Sequence, residues 1–307
     1  MSHRSALAIP AGSIALALAL VLGGSAAPVG ARERGSTPAD SVAEPVFDRD
    51  TLAGRSGKLW IRLVTSEHPS GLRTLTRLFG DSAARTPGVY TALDGRARPF
   101  TFAHLVPFSA KERGQIRGYR LGAWPSELRR AVASRYANPP GFIEVTRDNQ
   151  ETRVSEHFRL KDFLTKDQHA TWPKYLALRE PLVDKLELVI AALGERGIAV
   201  SRMAVMSGFR TPQYNQRGVG AGGRAPDSRH QYGDAADVYV DNDGDGRMDD
   251  LNRDGRVSIA DARLLAAVVD QVEQRHGDLT GGVGIYAANS VHGPFVHVDV
   301  RGTRARW

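Results

Sequence analysis

Cysteine is absent from the 307 residues of this chain. The chain therefore has no disulfides, no thiolate metal ligands and no cysteine to carry a lipid. Any metal site must use imidazole and carboxylate groups instead. Hydrophobic residues at 41% and charged residues at 24% are ordinary globular values, which exclude a disordered chain and a multispanning membrane protein.

Long apolar runs are also scarce, and the one at the N-terminus has a special layout. A short basic start is followed by an apolar run from Ile14 to Leu22 and then by small residues. This layout predicts a signal peptide over residues 1–31, with export to the periplasm or cell envelope. The alternative, a retained membrane anchor, is disfavoured because the run is short and Pro10 and glycines interrupt it. We therefore expect no stable membrane insertion after cleavage.

The net charge of +7 favours anionic partners, but its distribution argues against nucleic acid. The lysines and arginines are scattered and form neither a basic helix nor a patch interleaved with aromatic residues. For an exported protein, an anionic cell-wall polymer is a better partner.

The order of local patterns divides the chain into regions. Residues 32–55 are polar and aperiodic, and they are expected to be a linker. Short apolar runs separated by turn residues predict a small β-rich region over 56–125. From about residue 150 to 307, predicted helices over 155–166, from Glu180 onward and over 260–276 alternate with strand patterns, which indicates an α+β domain.

Three candidate metal ligands stand out in this second region. His230 and Asp237 belong to "SRHQYGDAAD", and His297 belongs to "FVHVDV". A catalytic zinc site needs three protein ligands and one open position, and zinc accepts imidazole and carboxylate. The period-2 alternation of a strand places His297 and Asp299 on one face. A histidine between valines can also be an ordinary buried residue, so the prediction depends on the three residues together.

Four motifs in order resemble those of the zinc D-alanyl-D-alanine metallopeptidases, the carboxypeptidases and murein endopeptidases with a hedgehog-like fold. They are "SGFRTPQYN" (207–215), "SRHQYGDAAD" (228–237), "GGVGIY" (281–286) and "GPFVHVDVRG" (293–302). The resemblance covers about residues 150–307 and implies a small antiparallel sheet with flanking helices. It further implies that His230, Asp237 and His297 bind zinc, that Arg210 holds a carboxylate or carbonyl of the peptide, and that Ser228 supports the loop or the substrate.

The general base departs from the family pattern. Many relatives have Glu or Asp three residues before the last ligand, or His two residues before it, and this chain has Pro294 and Phe295 there. His292 is the preferred candidate for the base or for a transition-state donor. Asp299 is the other candidate, although it is as well suited to orienting a ligand. The departure leaves open a binding protein that does not hydrolyse.

An acidic stretch from Asp241 to Gly255 contains six aspartates and matches calcium loops of the EF-hand type. The favoured loop begins at Asp250, and its ligands would be Asp250, Asn252, Asp254, Arg256 through its carbonyl, Ser258 and Asp261. A second, overlapping loop has Asp241, Asp243 and Asp245 before Gly246, but its twelfth position is Asn252, which the first loop already uses. We expect one or two structural calcium ions in an insertion over 241–261, rather than a solvated acidic turn.

Together these patterns predict an exported zinc peptidase that acts on peptidoglycan stem peptides or cross-links at D-amino-acid bonds. Carboxypeptidase and endopeptidase action both stay open. The alternatives are a non-hydrolytic zinc-containing module for cell-wall binding or signalling, and a calcium-dependent interaction module that docks through its acidic loop.

Overall fold

A computed structural model gives the fold of the chain and describes residues 47–128, 136–220 and 223–307. The predicted signal peptide, residues 1–31, lies outside the described residues, and so do residues 32–46 of the predicted linker.

The described residues form a mixed α+β structure of small sheets and a few helices, which is the class that the sequence predicted. The helices are α1 Arg49–Leu52, α2 Pro69–Phe79, α3 Asp81–Arg85, α4 Glu180–Glu195, α5 Pro212–Gln216 and α6 Ile259–Arg275. The strands are β1 Ile61–Val64, β2 Gly88–Leu93, β3 Pro99–His104, β4 Val106–Pro107, β5 Gln115–Ile116, β6 Tyr119–Arg120, β7 Gly141–Val145, β8 Lys174–Leu176, β9 Met203–Ser207, β10 Ala235–Val240, β11 Gly282–Tyr286, β12 Phe295–Asp299 and β13 Ala305–Arg306.

The five-stranded sheet has the order β13-β11-β12-β10-β9 and carries the candidate ligands. The pairs β11–β12, β12–β10 and β10–β9 are antiparallel, and the pair β13–β11 is parallel. In this register Asp237 of β10 lies opposite His297 of β12 on one side and opposite Ser207 of β9 on the other. Residues that face each other across antiparallel strands have close Cβ atoms, so the sheet itself brings two of the candidate ligands together.

Two long helices cover this sheet, and both were predicted from the sequence. Helix α4 has Pro181 in its first turn, where a missing N–H costs little, and it buries an apolar face that includes Leu186 and Leu193. Helix α6 begins with a capping box in which Ser258 and Asp261 each accept a backbone N–H. The two helices pack against each other, and α6 also packs on β11 and β12.

The N-terminal part of the described chain contains more helix than the sequence predicted. Its sheet has the order β1-β3-β2, but α2 and α3 stand between β1 and β2 in the chain. Helix α2 begins with Pro69 and places Leu72, Leu75 and Phe79 at helical spacing toward a small core. Within the predicted linker, α1 is capped by the side chain of Asp48.

The helix predicted over residues 155–166 is wrong. Only a single turn of 3-10 helix forms there, Leu160–Phe163. Phe158 and Phe163 are both buried and their rings lie 5.7 Å apart, although five residues of α-helix would separate them by about 140° around the helix. Burial of both rings in one core therefore outweighs the local helical pattern.

One hydrophobic core connects residues from both predicted regions, from Leu59 and Ile61 of the N-terminal part to Val296 and Val298 of β12. The division into a region 56–125 and a domain 150–307 stays a prediction. In the part of the chain that the structure describes, no helix has the length and apolar character needed to cross a membrane.

Candidate metal centre

The structure brings the three predicted zinc ligands together. Asp237 and His297 come from the paired strands β10 and β12, and His230 comes from a 3-10 turn, Arg229–Tyr232, just before β10. Gly233 ends this turn with a φ of +70°, a left-handed conformation that glycine adopts without strain. A Cβ at Gly233 would also lie 2.5 Å from the backbone of Ala177. The return of the chain from His230 into β10 therefore depends on this glycine.

Three donor atoms of these residues form a compact triangle. Nε2 of His230 lies 3.1 Å from Oδ1 of Asp237 and 3.1 Å from Nδ1 of His297, and that Nδ1 lies 2.9 Å from the same Oδ1. The solvent-exposed fraction is 1% for His230, 6% for Asp237 and 6% for His297. Zinc binds nitrogen and oxygen at about 2.0–2.2 Å, so three donors about 3 Å apart fit around a single ion.

The outer contact of each ring offers an acceptor for the hydrogen of one ring nitrogen. Nδ1 of His230 lies 2.7 Å from the carbonyl oxygen of Gly208, which can only accept, so Nδ1 donates. Nε2 of His297 lies 3.1 Å from Oδ2 of Asp299 and donates to that carboxylate. With these two hydrogens in place, the remaining lone pair of each ring points toward Oδ1 of Asp237. Burial opposes a charge on His297, but the hydrogen bonds with Asp237 and Asp299 outweigh it and raise the pKa of this ring.

Three acceptors that converge in a buried site repel one another unless a positive charge lies between them. A proton added to one ring would sit between two of the three atoms at most, whereas a metal ion satisfies all three at once. Carbonyl and carboxylate partners on the outer nitrogens are also the usual support of metal-binding histidines. The donor set and its surroundings therefore fit a metal ion.

The electrostatics of the site keep His230 and Asp237 in metal-binding forms. Burial lowers the pKa of His230 to about 4, which leaves this imidazole neutral at neutral pH. Burial alone would raise the pKa of Asp237, but the two imidazoles outweigh it and lower that pKa well below its ordinary value. A neutral imidazole and an ionised carboxylate are the forms that coordinate metals.

Arg210 contacts the site directly. The sequence predicted that it binds a peptide substrate, and in the structure it binds residues of the protein itself. Its Nη2 donates to Oδ2 of Asp237 over 2.8 Å, and its Nε donates to Oγ of Ser207 over 2.9 Å. Asp237 thus presents one oxygen to the donor triangle and the other to the guanidinium. Among the described residues, none accepts a hydrogen bond from Nη1 of Arg210.

Asp299 lies behind His297, on the ring nitrogen that faces away from the triangle. Its carboxylate also accepts the N–H of Gly282 over 2.8 Å and pairs with the guanidinium of Arg301. Burial opposes its charge, but the hydrogen bonds with His297 and Arg301 lower the pKa of Asp299 well below its usual range. These contacts favour the orienting role over the role of a base.

His292 makes its hydrogen bonds within its own loop. Nδ1 lies 2.8 Å from the carbonyl oxygen of Gly293, and Nε2 lies 2.8 Å from the side-chain nitrogen of Asn289. The ring also packs edge-on against Phe295. Both ring nitrogens are therefore engaged, and in this conformation His292 does not present a free lone pair to a substrate.

Ser228 precedes the 3-10 turn that carries His230 and is nearly buried. Its carbonyl oxygen accepts the N–H of Gln231 over 3.1 Å, which is consistent with support of the loop. A substrate contact of Ser228 stays a prediction.

Sequence reasoning missed two supports of the site. Trp124 is fully buried, and its indole N–H donates to the carbonyl oxygen of Gln231 over 2.9 Å, so the N-terminal region holds the turn of His230. The ring of Trp307 lies 5.2 Å from the ring of His297, and its N–H donates to the hydroxyl of Tyr286. No local motif indicates either contact, because each depends on pairing of distant segments.

The three donor residues are almost fully buried. They do not line either of two cavities, of about 420 and 610 Å³, that open in the described part of the chain. The larger cavity is lined by Arg301, the ion-pair partner of Asp299.

The acidic stretch divides into two loops with the same internal hydrogen bonds. In the first loop, the N–H groups of Gly246, Asp245 and Arg247 donate to the aspartates at the first, third and fifth positions, which are Asp241, Asp243 and Asp245. In the second loop, those of Gly255, Asp254 and Arg256 donate to Asp250, Asn252 and Asp254. The two loops therefore share a pattern of backbone hydrogen bonds. They differ in the contacts of the remaining carboxylates, Asp249 and Asp261.

Only the first loop gathers carboxylates from the described residues into a possible metal group. Oxygens of Asp241, Asp243 and Asp249 lie within 4.8 Å of one another, and Asp249 was not among the predicted ligands. In the favoured second loop, Asp261 accepts the N–H groups of Leu251 and Ser258 and caps helix α6. Among the described residues, Asp250, Asp254 and Asp261 do not form such a group.

Comparisons with protein-family models, with curated proteins and with solved structures found no match for this chain. The resemblance to the zinc D-alanyl-D-alanine metallopeptidases stays a prediction from the motifs.

Proposed function

We propose that this chain is an exported zinc-dependent peptidase that hydrolyses peptidoglycan stem peptides or cross-links at D-amino-acid bonds. The observation that carries the proposal is the convergence of two imidazole nitrogens and one carboxylate oxygen at about 3 Å from one another. The four sequence motifs support the substrate class and the hedgehog-like fold of the domain, and the N-terminal sequence supports export.

His230, Asp237 and His297 would hold the zinc ion. Two nitrogens and one oxygen are a donor set that zinc accepts, and three protein ligands are the number found in catalytic sites. When bound, zinc supplies an activated water and polarises the scissile carbonyl. Gly208 and Asp299 keep the two rings in the orientation and tautomer that this binding requires.

Arg210 is the residue that we propose to bind the peptide. Its guanidinium is mostly buried beside Asp237, and its Nη1 is not engaged by a described residue. A guanidinium that is already held by two hydrogen bonds loses little entropy when it binds a carboxylate or carbonyl. The peptide would therefore bind next to the metal rather than to a distant part of the chain.

The second candidate function is a zinc-containing module that binds the cell wall or signals without hydrolysis. The contacts of the two candidate bases favour it, because Asp299 is committed to His297 and Arg301, and both nitrogens of His292 are engaged. Hydrolysis would require His292 to leave Asn289 when a substrate binds.

Incubation of the purified protein with muropeptides, with and without a zinc chelator, separates these functions. Mass spectrometry should show loss of a terminal D-alanine or cleavage of a cross-link, and the chelator should prevent it. His230→Ala should abolish both zinc binding and product formation. The exposed His169 offers a matched control, because His169→Ala removes an imidazole that is remote from the triad in the chain.

One zinc per chain without any product supports the non-hydrolytic module. A chain that binds no zinc, or a His230→Ala variant that retains zinc and activity with an unchanged melting curve, contradicts both candidates. Zinc returned after chelation should restore activity, which excludes unfolding as the cause of its loss.

A further inference from the structure

The loop that follows β10 contains a second group of metal-binding atoms, separate from the triad. Carboxylate oxygens of Asp241, Asp243 and Asp249 lie within 4.8 Å of one another. Asp241 is fully buried, Asp249 is half-buried and Asp243 is exposed, so the group extends from the interior to the surface.

The carboxylate of Asp241 is the part of this loop that needs a partner. It is 0% exposed, and its Oδ2 has no hydrogen-bond partner among the described residues. Nη1 of Arg202 lies 3.3 Å away as an ion-pair neighbour, but that side chain is 54% exposed. The other oxygen, Oδ1, accepts only a long hydrogen bond of 3.4 Å from Gly246. A buried carboxylate with an unsatisfied oxygen is costly unless a cation binds it.

We propose that the loop 241–249 binds one calcium ion through Asp241, Asp243 and Asp249. The ligands are all oxygens, which suits calcium, whereas zinc prefers nitrogen and sulfur. Calcium also tolerates the flexible, many-oxygen geometry of such a loop better than magnesium, which demands a near-ideal octahedron. Gly246 has a φ of +82° at the sixth position, where calcium loops of this type turn sharply.

This site differs from the one that the sequence favoured. The twelfth position of the first loop, Asn252, belongs to the second loop, and Asp249 takes part in its place. In the second loop the carboxylate of Asp261 is already satisfied by backbone N–H groups. The buried, unsatisfied oxygen of Asp241 has no counterpart there among the described residues.

The ion would stabilise the five-stranded sheet where the end of β10 lies beside the start of β9. The N–H of Asp241 donates to the carbonyl of Arg202 over 3.0 Å, just before β9 begins. The side chain of Asn242 accepts the N–H of Ser201 over 2.7 Å, and the N–H of Asn242 donates to Oδ2 of Asp249 over 3.1 Å. Calcium on Asp241 and Asp249 would therefore hold β9 and β10 together a few residues beyond Asp237.

Calorimetric titration of the full chain with calcium, with its zinc site occupied, tests the proposal. One calcium should bind. Asp243→Asn changes an exposed ligand without disturbing the core, and it should weaken binding at least about tenfold, because one of the few charged ligands is lost. Asp254→Asn is the matched control, since it removes the same charge at the fifth position of the second loop, and it should leave the affinity unchanged. No binding up to millimolar calcium would overturn the proposal, and so would loss of binding in Asp254→Asn alone.

Asp241→Asn gives a second, independent result. Without calcium, this variant should melt at a higher temperature than the wild type, because it removes a buried charge whose ion-pair neighbour, Arg202, is itself half exposed. With calcium, the wild type should gain stability and the variant should not. An unstable variant without calcium, or equal gains in both proteins, would contradict a cation site at Asp241.

Hydrogen exchange locates the effect. Calcium should slow exchange in peptides that cover residues 199–205 and 238–249, and it should not affect α2, which is far from the loop in the sequence. Zinc content should be the same in Asp243→Asn and wild type, so failure of this proposal and failure of the proposed peptidase function are distinguishable. Protection that appears only around residues 250–261 would assign the ion to the second loop and overturn the proposal.

Discussion

Oδ2 of Asp299 lies 3.1 Å from Nε2 of His297, on the side of the ring that faces away from His230 and Asp237. The carboxylate of Asp299 and the donor triangle thus contact opposite nitrogens of one imidazole. Such a pair orients the ring and raises the basicity of the nitrogen that binds the metal.

Asp299→Asn should weaken zinc binding by about 10–100-fold, because an amide is a poorer acceptor for the ring N–H than a carboxylate. Competition between the protein and a chromophoric chelator measures this affinity. Asp278→Asn is a suitable control, since Asp278 forms an exposed ion pair with Arg55.

The same variant separates the two roles considered for Asp299. At saturating zinc, an orienting residue leaves most of any hydrolytic rate intact, whereas loss of a general base costs about 10²–10⁴-fold. Unchanged zinc affinity together with a lost rate would show that Asp299 is the base.

Gly233→Ala should reduce both stability and zinc content. A left-handed alanine costs about 1–2 kcal/mol, and the added Cβ would lie 2.5 Å from the backbone of Ala177, which adds about 1–3 kcal/mol of overpacking. Urea denaturation and metal analysis measure the two effects.

Gly197→Ala is the matched control for Gly233→Ala. Gly197 also has a positive φ, of +73°, but a Cβ there would meet nothing within 4 Å. It should therefore show only the conformational cost and keep its zinc. Equal losses in the two variants would contradict a special role of the tight turn after His230.

Lys185→Met should destabilise the protein by about 1–3 kcal/mol, because Glu273 and the carbonyl of Asp299 lose a buried donor while Glu273 keeps its ion pair with Arg306. Nζ of Lys185 is fully buried and donates to Glu273 over 2.6 Å and to the carbonyl of Asp299 over 2.8 Å. The lysine therefore links α4 and α6 to the strand of His297. Urea denaturation of the zinc-free protein gives the free energy of unfolding.

Arg275→Met removes another ion pair between the same two helices, Arg275 with Glu195, but both of its side chains are about half exposed. A pair of this kind contributes about 0–1 kcal/mol. If Lys185→Met lowers the free energy of unfolding by no more than Arg275→Met does, the buried ion pair adds nothing beyond a surface contact.

Acid should destabilise the N-terminal sheet through Asp94. Burial opposes the charge of this carboxylate, but hydrogen bonds from the backbone and side chain of Arg98 and from the N–H of Arg96 lower the pKa of Asp94 to about 2. Because the folded pKa lies below the ordinary value of 3.8, this contribution to stability is complete above about pH 4 and is lost as the pH falls toward 2.

Urea midpoints of wild type and Asp94→Asn, compared across this pH range, measure the contribution of Asp94. Above about pH 5, Asp94→Asn should be less stable than the wild type. This difference in stability should shrink as the pH falls. A constant difference would mean that the charge of Asp94 contributes nothing.

The sequence identified the three residues that the candidate metal centre brings together, but it did not reveal their surroundings. His230, Asp237 and His297 could be found because their motifs carry the chemistry locally. The contacts of Trp124 and Trp307 could not, because they join residues that are far apart in the chain. The helix predicted over 155–166 failed for a related reason, since Phe158 and Phe163 bury in one core that no local pattern reveals.

The sequence by itself determined the α+β class, the helices α4 and α6, and the types of donor that a metal could find in a chain without cysteine. Only the tertiary structure decided which ring nitrogens face inward, that Asp299 stands behind His297, and that Asp249 rather than Asn252 joins Asp241. Propensity and spacing act over a few residues, whereas lone-pair direction and burial depend on strands that meet across the whole chain.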